Sequence, residues 1–314
     1  MYINALGHYL PKQIISNDYF LNINGLTDEW IFTRTGIKTR TKAIPGENTH
    51  TMGIEAVKEA MKNLPYPISD VDLIIGASYS PFDTVATLAH AVQEHFEIAG
   101  AKAVYISSAC SSFINAMEIV EGYFAIGKAS KALVVTSEHN TAYSNETDEK
   151  SGHLWGDGAA AIFLSKEPVA KNEGKVVDII TRGLGNIGKA SEAVYLHPTN
   201  GGLLMPHGKD VFTHACKYMT EALVDILEKN QVTLSELNYL IPHQANMRII
   251  KYLASELKYD EEKIITNIEA LGNTGSASTL IGLSQHILKM NHGDLVGFTV
   301  FGGGYSSGSM LIQF

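Results

Sequence analysis

The sequence predicts an α/β fold. Three observations predict it: apolar runs with strand character alternate with segments of helical period, the order of these elements recurs in the second part of the chain, and the apolar content suits a sizeable core. Asp72-Leu73-Ile74-Ile75-Gly76-Ala77, Ala103-Val104-Tyr105-Ile106 and Ala132-Leu133-Val134-Val135-Thr136 are short and almost continuously apolar, which predicts buried, largely parallel strands. Between them, helical stripes run near residues 85–97 and 111–126, the second through Phe113, Met117, Val120 and Phe124. Further on, Val211, Ala215, Tyr218, Ala222 and Leu227 mark a long amphipathic helix ahead of a strand at Tyr239-Leu240-Ile241.

The recurrence is visible in residues. Ile68-Ser69-Asp70-Val71-Asp72-Leu73-Ile74-Ile75 resembles Leu234-Ser235-Glu236-Leu237-Asn238-Tyr239-Leu240-Ile241, and Gly158-Ala159-Ala160-Ala161-Ile162-Phe163 resembles Gly308-Ser309-Met310-Leu311-Ile312. These pairs predict two similar halves, 1–170 and 171–314, joined in the polar stretch from Lys166 to Gly174. Two sheets sharing a central helical layer would satisfy the pattern. The helices after Cys110 and near 275–290 are apolar enough to form that layer.

Composition narrows the function classes. A chain of 314 residues with 45% hydrophobic and 18% charged residues is neither disordered nor a coiled coil. It contains no apolar run of membrane-spanning length, and Met1-Tyr2-Ile3-Asn4-Ala5 does not open a signal peptide, so a cytoplasmic protein without a membrane partner is expected. The two cysteines, Cys110 and Cys216, cannot form a disulfide scaffold, show no metal-ligand spacing, and are expected to be free thiols. A net charge of −9 argues against nucleic-acid binding. An acidic partner would need a local basic patch.

Three residues stand where α/β folds place chemistry, at strand or loop ends entering helices. Cys110 lies between a strand and a helix in Ser107-Ser108-Ala109-Cys110-Ser111-Ser112, where the helix N-terminus would stabilise a thiolate and lower the thiol pKa. His243 follows the strand at Pro242-His243-Gln244-Ala245-Asn246, and Asn273 sits in the glycine-rich loop Leu271-Gly272-Asn273-Thr274-Gly275. Taken singly, each has a plain reading as an inert core thiol, a turn histidine or a turn asparagine. Cys216 lacks the strand-to-turn setting and reads as packing.

As a set, these motifs resemble those of the β-ketoacyl-acyl carrier protein synthase III family. The resemblance is carried by Ala109-Cys110, Pro242-His243-Gln244-Ala245-Asn246-Met247-Arg248, Gly272-Asn273-Thr274, Phe301-Gly302-Gly303-Gly304 and the early Asp28-Glu29-Trp30-Ile31-Phe32-Thr33-Arg34-Thr35-Gly36, in the family's order. It implies the thiolase fold, a five-layered αβαβα body in which each half supplies a sheet, and a homodimer. It also implies an acyltransferase that starts fatty acid synthesis by condensing an acyl thioester donor with malonyl-acyl carrier protein. Cys110 would carry the acyl group, the Cys110 and Gly303 N–H groups would hold the oxyanion, and His243 and Asn273 would stabilise the enolate left by decarboxylation.

The same resemblance assigns Trp30, Arg34, Gly208, Phe212 and Asn246 to the pantetheine and nucleotide of coenzyme A, and Arg248 and Lys251, on one helix face, to docking the acidic carrier protein. Acyl groups would arrive on coenzyme A or phosphopantetheine, with no metal or redox cofactor. Two residues depart from the pattern. Glu149 replaces an arginine that covers adenine, and Glu256 replaces a basic residue on the docking face. Val85 stands where acetyl-selective members place a phenylalanine across the dimer interface, with Phe82 nearby, so a donor bulkier than acetyl is expected.

Four other readings compete. A papain-like hydrolase also uses Cys, His and Asn, but lacks paired halves and the Phe301-Gly302-Gly303-Gly304 loop; a non-catalytic homologue would not need all three residues; an acyl-joining enzyme of specialised, polyketide-like metabolism would share them. Gly183-Leu184-Gly185-Asn186-Ile187-Gly188 matches a dinucleotide-binding GxGxxG, but the stretch from Lys189 to Leu196, ahead of Pro198, leaves too little room for the helix that would hold a pyrophosphate.

Overall fold

The computed structural model describes residues 1–314. Up to residue 165 the elements are β1 (Tyr2–Tyr9), β2 (Gln13–Ser16), α1 (Asp18–Asn24), α2 (Asp28–Thr35), β3 (Thr39–Lys42), α3 (Thr49–Met61), β4 (Leu73–Ala77), α4 (Leu88–His95), β5 (Lys102–Ile106), α5 (Ser112–Ala125), β6 (Lys131–Glu138) and β7 (Gly158–Ser165). The remainder forms β8 (Lys175–Gly183), β9 (Tyr195–His197), β10 (Gly202–Leu204), α6 (Gly208–Lys229), β11 (Tyr239–Pro242), α7 (Met247–Leu257), α8 (Ile268–Leu271), α9 (Ser278–His286), β12 (Leu295–Gly302) and β13 (Ser306–Gln313).

Nine strands hydrogen-bond in the order β11-β12-β13-β8-β1-β7-β6-β4-β5. Read outward from the centre, β1-β7-β6-β4 on one side and β8-β13-β12-β11 on the other repeat one strand order. β5 adds an edge strand to the first set, and a lone parallel bridge between Leu240 and Ile264 takes the corresponding place in the second. The two sets are not separate sheets, as the sequence pattern predicts. They are continuous through the antiparallel pairing of Tyr2 with Lys175. Nor are they largely parallel. Only β4 with β5 and β6, and β11 with β12, run parallel; β6–β7 and β12–β13 are joined without a crossover helix and must pair antiparallel.

The layering follows from which faces are apolar. In β4, Leu73 and Ile75 face the helices α5 and α9, while Ile74 faces α3 and α4, so a strand buried on both sides reads as one apolar run. Phe113, Met117 and Val120 of α5 and Leu280, Ile281 and Leu283 of α9 pack in one core with Val134 and Ile162 of one strand set and Ile179, Phe298 and Met310 of the other. Met52, Ala56 and Val92 cover the outer face of the first set, and Leu223, Ile226 and Ile250 cover that of the second. The result is five layers, αβαβα. β5 differs from expectation in that its apolar side chains are only half-buried, because it is the sheet edge. No helix is long and apolar enough to cross a membrane.

After Gly188 the chain forms only a short 3-10 turn at Ala190–Glu192 and then the β9–β10 hairpin, so the GxGxxG segment opens no phosphate-binding helix.

Candidate active site

Cys110 sits in the turn between β5 and α5. Ser111 N–H and Ser112 N–H donate to the Ser108 and Ala109 carbonyls at 3.1 Å each, and the Ser112 hydroxyl returns to the Ala109 carbonyl at 2.6 Å. Ala109 is held at φ 49°, in the left-handed region a non-glycine residue occupies only under constraint. The β12–β13 turn presses on this loop from the other strand set. A Cβ on Gly302 would lie 2.6 Å from the Ser108 carbonyl oxygen, 2.9 Å from Ser111 N and 3.0 Å from Cys110 N, so only glycine fits there. That approach brings the N–H of Gly303, together with that of Cys110 itself, onto the Cys110 sulfur.

His243 follows β11. Its N–H donates to the Thr299 carbonyl at 2.9 Å, and its Nδ1 lies 2.9 Å from the Ser278 hydroxyl at the start of α9, which also accepts the Gln244 N–H at 3.4 Å. Asn273 is anchored by its backbone, with its N–H on the Leu154 carbonyl at 2.9 Å and its carbonyl accepting from Gly156 N–H at 3.0 Å and from Asn140 Nδ2 at 3.1 Å. Its Oδ1 accepts the Gly275 N–H at 2.9 Å, which fixes the amide and leaves Nδ2 as the donor on the other side.

Cys110, His243, Asn273 and Gly303 all line one cavity of about 430 Å³ bounded by 23 residues, 15 of them hydrophobic. Such a lining suits an acyl chain with a few polar groups at its inner end.

Burial governs the electrostatics here. It pushes the Cys110 thiol up to about 12, with the Glu138 carboxylate adding to the rise, while Tyr79 and the Gly303 and Cys110 N–H groups pull it down. The sequence suggests a lowered thiol pKa, and burial acts in the opposite direction. Burial also pushes His243 down to about 4, so the imidazole is neutral at pH 7. Glu138, fully buried at the end of β6, accepts hydrogen bonds from Ser78, Ser80 and Ser276 hydroxyls and from Tyr79 and Ser80 N–H groups, and burial raises it to about 7. Sequence reasoning passes over Glu138 and Tyr79. The available signal was a lone acid ending the apolar run from Ala132.

The residues assigned to donor binding lie outside the cavity lining. Arg34 stacks on the Trp30 ring at 4.3 Å, occupying one indole face, and the Asn246 amide caps α7 through Arg248 N–H at 2.8 Å while donating to the Arg34 carbonyl at 3.1 Å. Gly208 opens α6, and Phe212 packs under the Arg248 guanidinium at 5.6 Å. Arg248 and Lys251 are exposed on α7, with Glu256 exposed further along it. Glu149 is exposed in the loop after β6. Val85 does not line the cavity; it is 84% exposed, and Phe82 is 63% exposed. Cys216 is a buried free thiol packed with Met219 and Phe301.

Known proteins decide the family. Residues 105–183 match the profile of 3-oxoacyl-[acyl-carrier-protein (ACP)] synthase III, and residues 227–314 match that of its C-terminal region. The β-ketoacyl-[acyl-carrier-protein] synthase III of Aquifex aeolicus is 37% identical over 99% of this chain and 99% of its own. This chain belongs to the synthase III family. Another member, from Clostridium botulinum, is 36% identical over 98% of this chain and 96% of its own. The crystal structure of the Aquifex aeolicus synthase III superposes with a TM-score of 0.93 at 34% identity, covering 100% of this chain and 99% of that one. The five layers are thus the thiolase fold of the synthase III family, whose members are acyl-transferring condensing enzymes.

Proposed function

We propose that this protein condenses an acyl thioester donor with malonyl-acyl carrier protein, with loss of carbon dioxide, and so initiates fatty acid synthesis. The observation that carries the reading is the meeting of Cys110, His243, Asn273 and the Gly303 N–H around one apolar cavity closed by both strand sets. The Cys110 sulfur attacks the donor carbonyl, the Cys110 and Gly303 N–H groups hold the resulting oxyanion, and the carrier thiol leaves with the proton. Malonyl thioester then enters. Loss of carbon dioxide places charge on the thioester oxygen, toward which Asn273 Nδ2 and His243 Nε2 donate. The step needs neutral His243 with its hydrogen on Nε2, and the Ser278 hydroxyl at 2.9 Å from Nδ1 can donate there to hold that tautomer. The enolate carbon attacks the acyl-enzyme and releases Cys110. Decarboxylation itself supplies the carbanion, so the sequence of steps requires neither metal nor redox cofactor.

The reading includes a cytoplasmic homodimer and a carrier-protein partner. The free Cys110 and Cys216 thiols suit a reducing compartment. The open β5 edge with its half-buried apolar side chains, and exposed Phe82 and Val85, support pairing with a second copy. Arg248 and Lys251 offer the basic patch for an acidic carrier. Coenzyme A is the weaker donor carrier, since Glu149 would face its adenine and phosphates.

Intact-mass measurement after incubation with a panel of acyl thioesters tests the reading. One acyl adduct is expected, lost in Cys110→Ser and kept in Cys216→Ser; an adduct that survives Cys110→Ser refutes the assignment.

A further inference from the structure

The ring of Tyr79, just past the end of β4, lines the cavity beside Cys110. Its position is set from three sides. Its backbone N–H donates to Glu138 Oε1 at 3.3 Å, and its neighbours Ser78 and Ser80 bind the same carboxylate. The ring lies over Gly275 in the Asn273 loop: a Cβ there would sit 2.7 Å from Tyr79 Cε1 and 2.8 Å from Cζ, and Gly275 has φ 57°, so glycine is needed twice over.

The hydroxyl at the end of this fixed ring is buried and has no hydrogen-bond partner, and the same is true of Asn140 Oδ1. An orphaned buried donor beside an orphaned buried acceptor is costly and rare in a native fold. The groups in reach of the Tyr79 hydroxyl are the Asn140 amide and the Cys110 sulfur. It therefore has one proton and two acceptors. The titratable groups that line the cavity with Cys110 are Tyr79 from the β4 end, His243 after β11 and Tyr195 and His197 of β9, with the Glu138 charge acting from the end of β6; from the Gly302–Gly304 turn come N–H groups.

We propose that Tyr79 is a further catalytic residue, whose O–H donates to the Cys110 sulfur as it becomes a thiolate and returns to Asn140 Oδ1 once the sulfur is acylated. In the transfer, the Cys110 S–H proton ends on the departing thiol, the new S–C bond forms as the donor's C–S bond breaks, and Tyr79 keeps its own proton throughout. The inference rests on Cys110 being the nucleophile. The Tyr79 hydroxyl adds to the Cys110 and Gly303 N–H groups a further donor that offsets the burial of the thiolate without adding charge.

Iodoacetamide alkylation tests it in the full chain carrying Cys216→Ser, so that Cys110 alone reports. Tyr79→Phe keeps the ring and removes the donor. A rise of about one unit in the thiol pKa cuts the thiolate fraction ~10-fold at pH 7 to 9, and the greater nucleophilicity of the remaining thiolate reduces the loss in rate to roughly threefold or more. 3-Fluorotyrosine placed at position 79 is a stronger donor and is expected to speed alkylation. An unchanged or faster rate in Tyr79→Phe, or no gain with fluorotyrosine, overturns the proposal. Alkylation needs neither donor nor malonyl group, so it reads Tyr79 even if the condensation reading fails; an unmoved rate beside intact condensation removes Tyr79 alone.

Discussion

Asn273→Ala separates the two halves of the proposed reaction. The side chain does two things: its Oδ1 accepts the Gly275 N–H at 2.9 Å, and its Nδ2 is left to donate into the cavity where enolate charge develops. Alanine removes both. The loss of one oxyanion donor costs roughly 2.7–4 kcal/mol in comparable sites, which is ~10² to 10³ in rate for malonyl decarboxylation. The unpaired Gly275 N–H costs about 1–3 kcal/mol of stability, a loss the fold can absorb. Acylation of Cys110 relies on the Cys110 and Gly303 N–H groups and is expected to proceed at close to the normal rate. Intact mass follows the first half-reaction, and carbon dioxide released from malonyl-acyl carrier protein by preformed acyl-enzyme follows the second. Equal loss in both would show that Asn273 acts on the thiol or on the fold, and the enolate role would fall.

Glu138 makes stability depend on pH. Its folded pKa of about 7 lies above the ordinary value of 4.5, so the unfolded chain releases this proton first and stability falls as pH rises through that window, then levels above it. Melting of Glu138→Gln against wild type should show the gap moving in favour of the variant from pH 4.5 to 7; a constant gap contradicts the burial argument. Arg248→Glu with Lys251→Glu should raise KM for malonyl-acyl carrier protein, more at low salt, and leave malonyl-pantetheine turnover alone. Equal weakening of both substrates would place the patch elsewhere. Val85→Phe should narrow selectivity toward acetyl, since each buried methylene contributes ~0.8 kcal/mol and two or three of them ~10-fold or more. Val85 is exposed in the single chain, so the effect depends on the proposed pairing with a second copy and should vanish in a variant that stays monomeric; a wild-type preference for acetyl over longer donors contradicts it.

The sequence by itself determined what is local or periodic. Strand runs such as Leu73–Ala77, the α5 and α6 stripes, the lack of a helix after Gly188 and the nucleophile turn at Cys110 are all set by residues close together in the chain. The set of Cys110, His243 and Asn273 was legible because each lies at an element end with a recognisable neighbourhood. Tertiary structure decided the rest. Whether strands run parallel depends on crossovers, which is why β7 and β13 turned the sheet antiparallel, and whether two strand sets fuse depends on the single β1–β8 contact. The thiol pKa was decided the same way. A helix N-terminus is a local, sequence-readable dipole, but burial is summed over everything packed around Cys110, and the Glu138 charge and the Tyr79 hydroxyl, which act on it in opposite directions, reach it from the ends of β6 and β4. Those two residues carry no motif. Their role comes from contacts across 28 residues or more of chain, a separation at which only packing can say what meets what.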